Sequence, residues 1–469
     1  MSAVGSKVFS SEPHLQRGMG VLDATALVVG SMIGSGIFIV SAESGRVVGS
    51  PGWLLAAWAI AGTLTMIAAL SCSELAAMLP KAGGQYVFFR EAYGPLFGFL
   101  FGWTMFLVVQ SGTIAAVAVA FAKFLGVLWP AISGGNKIFT IGRFSVSAVQ
   151  AVGLFVIVAL TASNTTGLKT GTRTQNILTF AKFAALAALT SLALVLGGRA
   201  GSALHAADFW KALAPSGGER TGWVLVAALG TAMVGPLFSQ SAWNNVTFAG
   251  EEVREPGRTL PRALLLGCLL VTVTYVLANV AYLNVLSFHD IQHAPEDRVA
   301  TAVATSLFGA GAAAAMAAAI MVSTFGCVNG LILSGARVSF AMARDGLFFG
   351  SLARLNRAAV PGNALRAQAF WSAVLVLSGS YSDLLKYVIS VDILFYVLLV
   401  VAVIVLRVKR PDLPRPFRAP GYPLLPLLYA AAGVTLIAIL LAGNPKTTWP
   451  GYAIVLTGVP VYFLWRRRR

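Results

Sequence analysis

Apolar runs of about 20 residues recur along almost the whole chain, separated by short polar punctuation. Each run is long enough to cross a bilayer as a helix. Twelve are predicted, at about 20–48, 53–78, 96–128, 146–163, 175–196, 223–250, 260–285, 300–343, 364–380, 384–406, 424–441 and 452–465. We call them helices 1 to 12. An even count puts both ends on the same side. The stretch 73–95 between helices 2 and 3 carries the Gly83-Gly84 pair and several aromatic residues, which suits an amphipathic segment at the membrane interface.

Two of the runs are interrupted. Helix 1 contains Gly30-Ser31-Met32-Ile33-Gly34-Ser35-Gly36-Ile37-Phe38. Glycine in a helix interior costs about 1 kcal/mol against alanine, so three glycines within seven positions predict unwinding. Helix 6 contains Gly235-Pro236-Leu237-Phe238-Ser239-Gln240-Ser241-Ala242-Trp243-Asn244-Asn245, where Pro236 lacks an amide donor and a polar run follows. Unwound backbone at membrane depth persists only where protein buries it or a polar cavity receives it. The amides of Gly34, Ser35 and Gly36 would open the second half of helix 1, where partial positive charge collects, and so offer a carboxylate site. The end of each first half-helix offers carbonyls to a cation. The alternative is that both glycine clusters serve only close helix packing. The breaks lie five helices apart. That spacing predicts two inverted repeats, about 18–198 and 222–407, with helices 11 and 12 (about 424–465) outside them.

Composition sharpens the class. The chain has 469 residues, 57% hydrophobic and 11% charged, which describes one all-α polytopic membrane domain over about 18–465. Residues 1–17 read as a short cytoplasmic tail without a signal-peptide core, and 466–469 as a basic cytoplasmic end beside anionic lipid. The net charge of +17 raises the question of nucleic acid. Roughly 23 of the 34 Lys and Arg fall on one predicted face and about 10 on the other, the bias that orients a membrane protein, so no nucleic-acid partner is expected. Cys72, Cys268 and Cys327 all lie in predicted helices, and no disulfide is expected.

These pieces together resemble the amino acid–polyamine–organocation superfamily, and within it the L-type amino acid transporters. The resemblance rests on the helix 1 break, Ser73-Glu74-Leu75, Gly83-Gly84-Gln85-Tyr86, and Phe238 with Trp243-Asn244 and Phe248-Ala249-Gly250-Glu251-Glu252. It continues through Phe325-Gly326-Cys327-Val328-Asn329-Gly330, Val405-Leu406-Arg407 with Pro411-Asp412, and Leu456-Thr457-Gly458-Val459-Pro460-Val461-Tyr462-Phe463. The markers run from end to end in the family's order. The resemblance implies the LeuT-type fold, a multi-pass protein of the plasma (inner) membrane and no cofactor.

It also implies roles for individual residues. The substrate carboxylate would sit at Gly34, Ser35 and Gly36, and the ammonium at carbonyls near Ile33, Phe238 and Ser239. Phe238 would close over the substrate, although it also suits an ordinary core aromatic. Asn244 would hydrogen-bond near the site, or bond helix to helix. Lys182 in helix 5 would occupy the place of the sodium ion in coupled relatives, which favours sodium-independent transport; the alternative is snorkelling to the cytoplasmic face. The side-chain pocket would draw on Val109, Thr113, Val117, Phe238, Cys327 and Asp392. Gln110 reads as helix packing.

Two departures stand out. The animal members carry Asn where this chain has Asp392, and a carboxylate inside the membrane is a functional hypothesis by default. It would bind a cationic group, carry a coupling proton, or bond a neighbouring helix. The outer loop between helices 3 and 4 lacks the cysteine that links animal members to a heavy chain, so no disulfide-linked partner is expected. The favoured reading is sodium-independent exchange or facilitated transport of neutral L-amino acids. The alternatives are a proton-coupled symporter, or a carrier of cationic amino acids or polyamines. From another class, a membrane sensor would need a signalling extension, and the short tails speak against one. An enzyme is not expected: the four histidines fall in predicted tails or loops, and no metal spacing appears within a helix.

Overall fold

The first interruption shows directly in the structure. In a computed structural model describing residues 15, 17–141, 144–198, 201–214, 217–378, 381–443 and 445–466, helix 1 is two helices, Val21–Met32 and Gly36–Val48, bent by 41°. The first stops because Ile33 turns to extended backbone (φ −75°, ψ 93°). The second restarts from Ser35. The tail expectations for residues 1–14, 16 and 467–469 lie outside the described residues.

Helix 2 (Pro51–Met78) begins where Ser50 caps it, its side chain accepting from the Trp53 amide, with Pro51 in the first helical position. Helix 3 runs Pro95–Thr104, then Met105–Val109 as a π turn, then Gln110–Leu128. Helix 4 (Ala148–Thr165) starts at a Ser147–Gln150 capping box. Ahead of it, in the loop between helices 3 and 4 of this otherwise helical fold, lies an antiparallel pair, Lys137–Ile141 and Phe144–Ser147. The β-branched and aromatic Ile138, Phe139, Thr140 and Val146 suit strands, but the stretch is too short to stand out beside the helical runs.

Helix 5 is Leu168–Leu196 and helix 7 is Pro256–Val285. Helix 6 runs from Gly222 to Ser239, then passes through an irregular turn in which Ala242 takes φ +65°, and resumes briefly as Asn245–Phe248. The predicted helix 8 is corrected: the structure has Val299–Phe308 and Ala312–Arg344, separated where Gly309 adopts φ +79°. Leu307-Phe308 before Gly309 and the alanines after it keep the run apolar and hide this stop in the sequence. Gly362–Ser378, Tyr381–Lys409, Leu424–Gly443 and Pro445–Arg466 follow.

Among the described residues, nine helices are long and apolar enough to cross a membrane, or ten when the bent pair of helix 1 counts as one span. Gly362–Ser378 and Pro445–Arg466 occupy the places of predicted helices 9 and 12 without joining that count. Helix 8 lies at the centre, with every residue from Gly326 to Ala343 buried. Helix 5 has one packed face and one apolar exposed face carrying Ile177, Phe180 and Val195, as lipid contact requires.

Candidate substrate site

The helix 1 break is buried and its carbonyls are already in use. Ile33 and Ser35 are 0% and 1% exposed. Lys182, itself buried, donates from Nζ to the carbonyls of Gly30 (2.5 Å) and Ile33 (2.6 Å). These carbonyls close the first half-helix, where partial negative charge gathers. The lysine therefore caps a helix C-terminus from a neighbouring helix, and charge-assisted bonds offset part of the cost of burying it. The long stem does not carry the ammonium out to the cytoplasmic face.

Three more side chains complete the lattice. Ser323 Oγ lies 3.2 Å from both the Ile33 and Gly34 carbonyls. Cys327 Sγ donates to the Ser31 carbonyl at 3.1 Å. The Tyr275 hydroxyl donates to the Met32 carbonyl at 3.1 Å. Every carbonyl from Gly30 to Gly34 thus has a side-chain donor. The Ile33 carbonyl accepts from Lys182 and shares the single Ser323 O–H with the Gly34 carbonyl.

The two interrupted helices meet at this point. A Cβ built on Gly36 would lie 2.1 Å from Ser239 Oγ, so only glycine allows the approach. Gly34 faces Cys327 in the same way, its added Cβ falling 3.2 Å from the sulfur. Below, Ser44 Oγ donates to the Ala232 carbonyl at 2.9 Å, fixing the second half of helix 1 on helix 6.

A cavity opens on the other side of Phe238. Its walls include Thr65, Phe238, Gln240, Trp243, Asp392, Tyr396 and Tyr429. Asp392 and Phe238 therefore share a cavity. Val109, Thr113, Val117 and Cys327 do not line it, and all four are buried. Thr113 turns its hydroxyl back to the Val109 carbonyl at 2.6 Å, across the π turn of helix 3. Asn244 is held at both ends of its amide: Nδ2 donates to Gln85 at 2.8 Å, and Oδ1 accepts from the Tyr396 hydroxyl at 3.2 Å. Asn244 thus ties the helix 6 break to two neighbouring helices. Gln110 donates to the Leu331 carbonyl at 2.9 Å and packs helix 3 on helix 8.

Ion pairs cluster where helices 6 and 8 end. Arg337 and Glu252 form a fully buried pair at 2.7 Å and 3.0 Å, while the Glu252 carbonyl accepts the amides of Gly18 and Met19. Asp345 accepts from the Tyr86 hydroxyl at 2.6 Å and pairs with Arg90. Burial, then the bond to Asp345, pushes the Tyr86 phenol well above its ordinary range.

Ser323, Tyr275 and Arg337 escaped the sequence reading. Arg337 had a signal, since a charge inside an apolar run marks a buried partner. Ser323 sits one turn before Cys327 on the same helix face. Tyr275, in an apolar helix 7, had none.

A model of the family described as amino acid permease matches residues 19–460. The large neutral amino acids transporter small subunit 2 of Homo sapiens is 31% identical, over 96% of this chain and 80% of its own. The serine/threonine exchanger SteT of Bacillus subtilis is 30% identical, over 97% of this chain and 98% of its own. The Asc-type amino acid transporter 1 of Mus musculus is 30% identical, over 98% of this chain and 83% of its own.

Proposed function

This chain belongs to the amino acid permease family, and we propose that it exchanges neutral L-amino acids, or lets them down their gradient, without sodium and by alternating access. It is an amino acid transporter embedded in the membrane by multiple helices, and not an enzyme. In this reading twelve helices span the plasma membrane, with both termini cytoplasmic and without a disulfide-linked heavy chain. Residues 18–198 and 222–407 form the two inverted repeats.

The observation that carries the proposal is the meeting of the two interrupted helices, Gly36 on Ser239, with Lys182 bonded into the first break. A fixed ammonium there does the work of a bound cation, so no sodium ion is required to hold helices 1 and 5 together. The substrate's α-carboxylate takes the amides at Gly34, Ser35 and Gly36. Its α-ammonium takes carbonyls at Phe238 and Ser239, since the Ile33 carbonyl already serves Lys182 and Ser323. Phe238 gates the site. Asn244 holds the helix 6 break to helix 10 through Tyr396. Thr113 and Cys327 give the substrate side chain a small, weakly polar wall suited to neutral residues. In this conformation Gly36 and Ser239 are in contact, so substrate entry requires them to part.

The test is uptake of labelled amino acids into proteoliposomes, with or without unlabelled amino acid inside and with potassium replacing sodium. Uptake that needs internal amino acid and ignores sodium is the expected result for exchange; undiminished uptake into empty vesicles would mean facilitated transport. Uptake that collapses without sodium would remove Lys182 from the proposed role.

A further inference from the structure

We propose that His289 and His293, in the loop between helices 7 and 8, form a chelating site for a divalent transition-metal ion of the class that imidazole favours: zinc, copper or nickel. The proposal does not rest on the amino acid reading of the helix 1 break.

The stretch Ser287-Phe288-His289-Asp290-Ile291-Gln292-His293 reads as loop in the sequence, but the structure winds Phe288–Gln292 into a helical turn that His293 closes. Ser287 caps the turn, its hydroxyl accepting from the Asp290 amide at 3.1 Å. One face of the turn is fastened to the protein. Ile291 is buried, Phe288 lies against Gly45, and Gln292 donates to the Gly45 carbonyl at 3.0 Å. Arg46 completes the clamp by donating to the Gln292 carbonyl and to Asp297. The other face carries His289 and His293, both exposed. Being four residues apart, they project from the same side of the turn. Their rings stack with centroids 4.2 Å apart and planes 24° from parallel.

The ring nitrogens are arranged for a metal. His293 Nδ1 donates to the His289 carbonyl at 3.0 Å, so in the neutral ring Nε2 keeps the lone pair. His289 Nδ1 faces the Asp290 carboxylate at 4.0 Å. A ligating histidine characteristically turns its second nitrogen to a carbonyl or carboxylate, which fixes the ring and its tautomer. Neither Nε2 has a hydrogen-bond partner among the described residues. Two imidazole nitrogens on one zinc ion, each about 2.0–2.1 Å from it, lie about 3 Å apart. Exposed rings with centroids 4.2 Å apart reach that separation by a small rotation. Histidines at this spacing on one helix face are a known zinc-binding pattern. Imidazole also selects the ion, since magnesium and calcium ask for oxygen ligands. Among the described residues no group of three or more His, Cys, Asp or Glu is placed to hold a metal, so water fills the remaining positions of an open, two-ligand site.

The experiment is calorimetric titration of the purified full-length protein, in detergent and without a polyhistidine tag, with zinc chloride and, as control, magnesium chloride. Thermal unfolding is followed alongside, since a ligand of the folded state raises the melting temperature in a saturable way. The expected result is a saturable response to zinc and none to magnesium. His289→Ala and His293→Ala should each weaken zinc at least about tenfold, because removing even an outer partner of a ligating histidine costs about 10–100-fold. His205→Ala, which changes a histidine in a different loop, should leave the titration as it is. Both proposed ligands are exposed, so without zinc their variants should melt as the wild type does. A wild-type protein indifferent to zinc would overturn the proposal. So would zinc binding that survives either substitution at full strength, which would put the ion on a single ring or elsewhere. Should one variant fail to fold, the other still decides. Zinc binding without amino acid uptake would strike the transport reading and leave this one standing.

Discussion

The two sides of Phe238 treat polar groups in opposite ways. At the helix 1 break, five successive carbonyls are unwound from their helix, and side chains from helices 5, 7 and 8 answer each of them. In the cavity beside helix 10, the Asp392 carboxylate and the Tyr429 phenol, set among aromatic rings, have no hydrogen-bond partner among the described residues. The first arrangement preserves a break that would otherwise be costly in a membrane. Irregular backbone thus marks where the protein has met its own needs, and an unpartnered side chain marks where it has not.

The largest expected effect comes from closing the point where the interrupted helices touch. Gly36→Val would place its Cβ 2.1 Å from Ser239 Oγ and force the two breaks apart. Displacement of about 1 Å at a binding constellation costs on the order of 100-fold. Uptake should fall to about 1% of wild type while the variant still reaches the membrane in normal amount, as read by labelled uptake and by quantitative blotting of membranes. Normal uptake would mean that the break is not the binding site.

Lys182→Ala comes next. It strips the cation from the Gly30 and Ile33 carbonyls, leaving only Ser323 on the latter. A buried carbonyl left without a partner costs about 1–3 kcal/mol. The variant should melt several degrees lower in detergent and transport at least about tenfold more slowly, with no sodium requirement appearing. Restoration of its uptake by added sodium would instead show that the cavity left by the ammonium still binds the ion.

How far this could be read beforehand depends on the kind of signal. The helix 1 break was legible because glycines and serines inside an apolar run have few other meanings in a bilayer. Lys182 was legible as a charge where charge is expensive. The partners of the break were not, because Ser323 and Tyr275 are unremarkable in sequence and gain their meaning from which helix faces which. Of the residues named for the side-chain pocket, Phe238 and Asp392 line one cavity, which Thr113 and Cys327 do not line. The stop at Gly309 was hidden by the apolar residues around it, since a left-handed glycine shows only when the chain on either side is placed.

The smallest effect gives the sharpest version of the comparison, because one kind of change can be made on each side. Tyr275→Phe and Tyr429→Phe each delete a single hydroxyl from a buried ring. Tyr275 donates to the Met32 carbonyl at 3.1 Å, so its loss leaves that carbonyl unpaired and should cost about 1 kcal/mol. The Tyr429 hydroxyl has no partner among the described residues, so its loss should cost close to nothing, or stabilise slightly by removing a polar group from an aromatic wall. Melting of the two variants in the same detergent without ligand reads the difference directly. Equal losses would mean that both sides of Phe238 are satisfied alike, by groups of the protein or by water. A loss confined to Tyr275→Phe would show that the protein stabilises its broken helix through its own side chains, and that the Tyr429 hydroxyl has no comparable partner.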